Sequence, residues 1–213
     1  MTTYQLSKIR QDVRAALDQN LSDDTLSDLG DIDTLTLDGI IASKVTEAVK
    51  RVHSEAPAFL LETGDNFADA LYWNSDGRSG YTLLPDDFMR LVVFMMDDWD
   101  LPVYEARNAD DPAYMRQVSR FPGLKGSPQR PECFISIRPE GRALEFYSCS
   151  DSDAQVSRAV YIPYPEIDEY EGVEICERCY DSAIYTTAAL VAAAYGDTDK
   201  AGVLSELAKS ALI

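Results

Sequence analysis

Few residues of this chain have the types and spacing that chemistry needs. Cys176-Glu177-Arg178-Cys179 has the CxxC spacing of a thiol redox pair or of half a zinc site. A redox pair of this kind follows a strand and opens a helix. Here the apolar spacing from Val173 to Tyr195 predicts that the motif lies inside a helix, behind acidic residues that would raise a thiol pKa rather than lower it. A zinc site needs two more ligands. Cys133 and Cys149 are available, but they fall on different predicted strands and lack knuckle spacing. Structural cysteines are therefore the expectation. His53 is the only histidine, so any Ser-His-Asp or Cys-His site must use it. No GxSxG turn accompanies it, and it ends an amphipathic helix beside Ser54 and Glu55, which predicts a surface or half-buried residue.

The acidic pairs Asp86-Asp87 and Asp97-Asp98 have the composition of hydrolytic carboxylates or calcium ligands. Asn74-Ser75-Asp76-Gly77 begins like a calcium loop, yet its sixth position is Ser79 and its twelfth is Pro85. An EF-hand needs glycine and glutamate there. Turn-forming aspartates are the better reading. There is no Walker loop and no GxGxxG. The expectation is a protein that is not an enzyme, with no catalytic residues, metal or cofactor.

The elements around these residues form a pattern of their own. Ile9, Val13, Ala16 and Leu17 share a helical face in Tyr4 to Leu17. Ile40, Ile41, Val45, Ala48, Val49 and Val52 do so in a second helix, opened by Thr36 or Asp38 and closed near Ala56-Pro57. A short helical piece over Ala58 to Leu61 follows. Strands are predicted at Tyr81–Leu84, Phe88–Met96, Val103–Arg107, Cys133–Arg138, Ala143–Ser148 and Val156–Ile162. Leu84-Pro85-Asp86-Asp87 joins the first two, and Pro139-Glu140-Gly141-Arg142 makes a hairpin turn. Asp111-Pro112 opens a short helix, followed by a loop, Phe121 to Pro131. Pro163-Tyr164-Pro165 leads into the helix Val173–Tyr195, with Gly196 as its cap. Asp197 then caps a last helix, Thr198–Leu212, expected to bury Val203, Leu204, Leu207 and Leu212. The fold class is α+β. Residues 1–64 and 165–213 form a helical bundle, and 65–164 an inserted, antiparallel, β-rich domain.

The 213 residues carry a formal net charge of −18, from 37 acidic and 19 basic residues. That disfavours general binding of nucleic acid or of an anionic membrane. No apolar leader precedes the first helix, which predicts a protein made in a cytosol with reduced cysteines. The charge is uneven. From Arg107 to Arg142 seven basic residues face four acidic ones, a local charge of about +3. From Pro165 to Asp181 seven acidic residues face only Arg178. The basic stretch reads as a solvated loop, as a contact with DNA phosphates, or as a face that meets an acidic surface such as the next copy of the chain in a head-to-tail ring.

The layout resembles the head-to-tail adaptors of short-tailed bacteriophages, also called tail tubular protein A or gatekeeper-type proteins. The resemblance is carried by Leu83-Leu84-Pro85-Asp86, by Pro163-Tyr164-Pro165-Glu166-Ile167, by Glu177 to Tyr195 and by the turn Gly196-Asp197-Thr198. The general style is similar to ring proteins from phages of gut Bacteroidetes. The resemblance implies a virion protein of the neck or tail, made in the bacterial host cytoplasm. It implies a homo-oligomeric ring, commonly dodecameric, between the portal protein and the tail or nozzle proteins. The helical part would face the portal and the β part the tail. Genomic DNA would pass through the lumen without specific binding, and no membrane is involved. Arg107, Arg116, Arg120, Lys125, Arg130, Glu166, Asp168, Glu169 and Glu171 are then the candidate contacts between subunits or with the portal. The alternatives are another neck or tail-completion module, or a carboxylate- or metal-dependent hydrolase using the Asp97–Asp100 cluster.

Overall fold

The computed structural model describes residues 1–17, 36–64, 66–168 and 172–212. In chain order its elements are β1 (Thr2–Tyr4), α1 (Leu6–Ala16), α2 (Leu37–Glu55), β2 (Tyr72–Trp73), β3 (Gly80–Leu83), β4 (Phe88–Met96) and β5 (Arg107–Asn108). There follow α3 (Pro112–Gln117), β6 (Cys133–Arg138), β7 (Gly141–Phe146), β8 (Val156–Pro163), β9 (Ile167–Asp168), β10 (Gly172–Ile175), α4 (Tyr180–Ala194) and α5 (Thr198–Ser210). Single 3-10 turns occupy Ala58–Leu60, Pro122–Leu124 and Glu177–Cys179. The protein is α+β. Two compact units make it up, Met1–Glu62 with Tyr164–Ile213, and Thr63–Pro163.

In the first unit both ends of the chain build one core. Thr36 caps α2, its Oγ1 accepting the Gly39 amide at 3.2 Å, and Asp197 caps α5 by accepting the Lys200 amide at 3.1 Å. Gly196, at φ +82, lets α4 end in a left-handed residue, and the amides of Gly196 and Asp197 return to the carbonyls of Ala193 and Ala192. Helices α1, α2 and α5 all pack on α4. The buried Ala183, Ala188, Ala189 and Ala192 of α4 allow that close approach. Ile9, Val13, Ile41, Val45, Val49, Val191 and Leu204 fill the space between.

This unit is not purely helical, as its apolar spacing predicts. A three-stranded antiparallel sheet, ordered β1-β10-β9, runs through it, with Thr2 opposite Ile175 and Tyr4 opposite Val173. The expected helix over Val173–Tyr195 is therefore corrected. Its first part is strand β10, and the α-helix starts at Tyr180. Val173 and Ile175 are buried with Glu174 between them, a period of two that a helical reading absorbs. The partner strand that decides the matter lies about 170 residues away in sequence. Helix α5 also differs. It ends at Ser210 and buries Leu204 and Ala208, leaving Val203 and Leu207 exposed, because only one of its faces meets α4.

The second unit holds a five-stranded sheet, ordered β2-β3-β7-β6-β5, and a separate antiparallel pair, β4–β8. The turn at Leu84-Pro85-Asp86-Asp87 thus joins strands of two different sheets. In the β6–β7 hairpin Arg138 lies opposite Gly141. The expected strand Val103–Arg107 is reduced to a bridge from Val103 to Phe94 and the two-residue β5, which runs parallel to β6. Strand β2, in a stretch whose glycines and asparagines predict a loop, adds to the sheet edge beside β3. Strand β4 shifts register against β8 at three places, each bending the ribbon. Phe88, Phe94, Met96, Trp99, Leu144, Phe146 and Tyr161 form the core. Phe94 stands 5.7 Å from the Trp99 ring and 6.0 Å from the Phe146 ring, within the range of favourable aromatic pairs.

Gly172 is the tightest point of the small sheet. Its φ is +123, and a Cβ there would lie 2.5 Å from the Tyr4 carbonyl oxygen. Gly172→Ala is expected to cost about 1–3 kcal/mol, the scale of a strained backbone residue. It should detach β1 first, seen as a lowered thermal midpoint and fast amide exchange at Thr2–Tyr4.

Candidate interaction surface

Three of the residues singled out for chemistry turn out to have structural partners. Cys176 follows β10 and Cys179 precedes α4, so the motif does sit between a strand and a helix, and its expected place inside a helix is corrected. Both thiols are buried, and neither forms a disulfide. The Cys176 thiol donates to the Leu60 carbonyl at 2.7 Å, which ties the turn before the second unit to β10. His53 is fully buried rather than half-exposed, because the last turn of α2 packs on this strand. Its Nε2 accepts the Cys176 amide at 3.3 Å. Burial pushes the Cys133 thiol well up and that of Cys149 up to about 12, so neither is a ready thiolate.

The aspartates close turns and loops. Asp97 accepts the Gln155 amide at 2.9 Å, and Asp98 that of Ser150 at 2.6 Å. Asp76 accepts the amides of Arg78 and Ser79 and the Ser79 hydroxyl. Burial opposes its charge, but these bonds hold its carboxyl below the usual carboxylate range. Among the described residues no group of three or more His, Cys, Asp or Glu is placed to hold a metal ion.

The five basic residues named from the sequence fall on one segment, Arg107–Arg130, that leaves and rejoins the edge of β6. Arg107 lies opposite Phe134, and Asp111 caps α3 by accepting the Ala113 amide at 2.7 Å. Tyr114 of α3 sets its ring against Phe134, 5.4 Å between centroids. Gln117, almost fully buried, then holds the segment from three sides. Its Nε2 donates to Glu132 at 2.5 Å and to the Ala113 carbonyl at 3.3 Å, while its Oε1 accepts the Gly126 amide at 2.9 Å. The loop between α3 and Gly126 is therefore pinned at both ends, which periodicity alone does not reveal.

What that loop displays is unusual. Met115, Val118, Phe121 and Leu124 are 67%, 63%, 71% and 54% exposed. Arg107, Arg116, Arg120 and Arg130 are exposed, and Lys125 partly so. The side chains of these five residues make no ion pair or hydrogen bond among the described residues. Of the acidic candidates, Glu166 and Asp168 are exposed on the first unit, flanking Ile167 of β9. Glu166 faces Glu174 across the strand pair, its amide donating to the Glu174 carboxylate at 3.2 Å. Glu169 and Glu171 lie outside the described residues.

A buried carboxylate anchors the same segment. Glu145 of β7 is 2% exposed. It accepts Ser136 Oγ at 2.6 Å, Arg138 at 2.8 Å, the Tyr114 hydroxyl at 3.1 Å and the Tyr147 hydroxyl. Burial opposes ionisation, but these donors win and lower its pKa, while burial and the Glu145 contact raise that of Tyr147. Arg138 is itself clamped, its guanidinium 4.0 Å from the Tyr81 ring centroid.

Compared with known proteins, the chain matches no family model, and no curated protein matches it in sequence. What fold and surface define is a two-unit α+β protein with an apolar and cationic loop held rigidly on its second unit.

Two outcomes follow. Gln117→Ala leaves the Glu132 carboxylate and the Gly126 amide unmatched. It should cost about 1–3 kcal/mol and accelerate amide exchange at Gly126. Glu145 is lowered on folding from an ordinary value of 4.5, so its contribution is fully present above that pH and lost as pH falls through the folded value. Acid titration of stability should therefore steepen below pH 4.5 in the wild type. Glu145→Gln should flatten that limb, with a loss of about 3 kcal/mol at neutral pH from the unpaired Arg138.

Proposed function

We infer that the chain is a structural subunit of a homo-oligomeric ring in a bacteriophage virion, joining the portal protein to the tail and passing DNA through its lumen. The observation that carries this reading is the exposed apolar segment Arg107–Arg130, whose five cations make no salt bridge among the described residues, in a chain whose net charge is −18. Such cations on an acidic protein suit contact with an acidic surface. Exposed Met, Phe, Val and Leu among them favour a protein surface over phosphates, which offer nothing apolar.

The first unit supplies such a surface. It holds 21 acidic residues against nine basic ones, with Glu166, Asp168 and Glu177 exposed. A contact between unlike patches of identical chains is head-to-tail, and it closes into a ring when the rotation allows. The LLPD turn, the Pro163-Tyr164-Pro165 exit and the Gly196-Asp197-Thr198 cap support the adaptor reading by their resemblance to that family. Acidic residues along a lumen would repel phosphate and let DNA slide.

Native mass spectrometry of the purified chain, alone and with a portal protein, tests this. The expected result is a single closed oligomer, of dodecamer size by the family resemblance. It should form more readily with the portal and weaken at about 1 M salt, where exposed charges are screened within about 3 Å. A monomer in every condition, indifferent to the portal, removes the reading.

A further inference from the structure

The first unit contains a cavity of about 460 Å³, open to solvent, between α1, α2 and the β9–β10 strands. Leu6, Ala42, Val45, Ile167 and Val173 give it apolar walls, and Arg10 lies within it. Asp168, exposed, also lines it, and the exposed Glu166 precedes Ile167 in the chain. Among the described residues the Arg10 Nε–H is buried with no acceptor. A buried donor left unmatched costs about 1–3 kcal/mol, which an acceptor from a docked partner would recover.

The exposed loop on the second unit has the opposite character. Phe121 precedes and Leu124 ends a 3-10 turn, Pro122–Leu124, with Arg120 before it and Lys125 after it. Apolar side chains flanked by cations complement an apolar cavity rimmed by acids. The carbonyls of an exposed turn supply acceptors for a buried N–H. Gln117 and Gly126 pin the loop at its base, so little conformational entropy is lost when it docks.

We propose that the Arg120–Lys125 loop of one copy inserts Phe121 and Leu124 into the α1–α2–β9 cavity of a second copy. Arg120 and Lys125 then lie against the acidic rim, and Arg10 receives a carbonyl of the incoming turn. The occupant is a second copy because both halves of the match, in apolar character and in charge, belong to this one chain. Repetition of the contact gives each copy one loop to donate and one cavity to fill, as a heterologous assembly needs. The inference rests on the ring reading and adds to it the surfaces that make the contact.

The test uses the full chain with the photocrosslinking residue p-benzoylphenylalanine at position 121. Crosslinks between copies are expected at residues 6–10 and 42–46. Phe121→Asp and Arg120→Glu on the loop, and Ala42→Trp in the cavity, should each weaken self-association by at least roughly 30-fold, the scale of an interface hot spot. Phe121 and Arg120 are exposed, so an unchanged thermal midpoint and circular dichroism spectrum separate a lost contact from a lost fold. If the wild type assembles and these variants assemble equally well, the docking is overturned while the ring reading stands. Crosslinks between copies at other surfaces overturn it in the same way, as do crosslinks confined to one chain, for example to residues 18–35. A wild type that never self-associates removes both.

Discussion

The first unit depends on the antiparallel ladder between Thr2–Tyr4 and Gly172–Ile175. The second unit is inserted between the two halves of the first, so residues 1–62 and 164–213 must find each other across about 100 residues of intervening chain. Closing so long a loop costs entropy that only contacts made after closure can repay. The ladder, the burial of Val173 and Ile175, and the packing of α1 and α2 on α4 are those contacts. Tyr4 and Tyr180 pack their rings at 4.2 Å over the same joint, and the Tyr180 hydroxyl donates to Asp12 at 2.5 Å. His53 and Cys176 belong to this joint as well, which explains why the lone histidine and the first cysteine are buried in structural hydrogen bonds.

The second unit applies the same economy to a charge. Glu145 sits on the sheet face away from the aromatic core and gathers donors from β6, from α3 and from Tyr147. A carboxylate buried with this many partners is stable only if all of them are in place. Its effect is to set Tyr114, hence α3, hence the loop that α3 launches. Gln117 repeats the logic one turn later. The apolar and basic side chains beyond it are exposed on a backbone that is held from beneath, the arrangement expected of a surface prepared for contact rather than of a solvated tether.

The resulting division of labour is electrostatic. Acidic charge dominates the first unit, and cations gather on one segment of the second. Under the ring reading proposed above, such a distribution would favour the few orientations of two copies that bring loop to acid.

Composition, caps and turns were legible in the sequence because each is local. Thr36, Asp111, Asp197 and Gly196 act through residues within four positions, and Cys133–Arg138 and Phe88–Met96 have enough β-branched and aromatic residues to be strands on their own account. The basic segment was legible too, since counting charges needs no coordinates. What only tertiary structure decided was everything whose partner is remote. Val173–Ile175 is a strand because Thr2–Tyr4 supplies its hydrogen bonds, and His53 is buried because Cys176 meets it. Val203 and Leu207 are exposed because α4 covers only one face of α5. Local propensity differs by fractions of a kcal/mol between helix and strand. A ladder or a buried face contributes several times that, so the remote contact prevails wherever the two disagree.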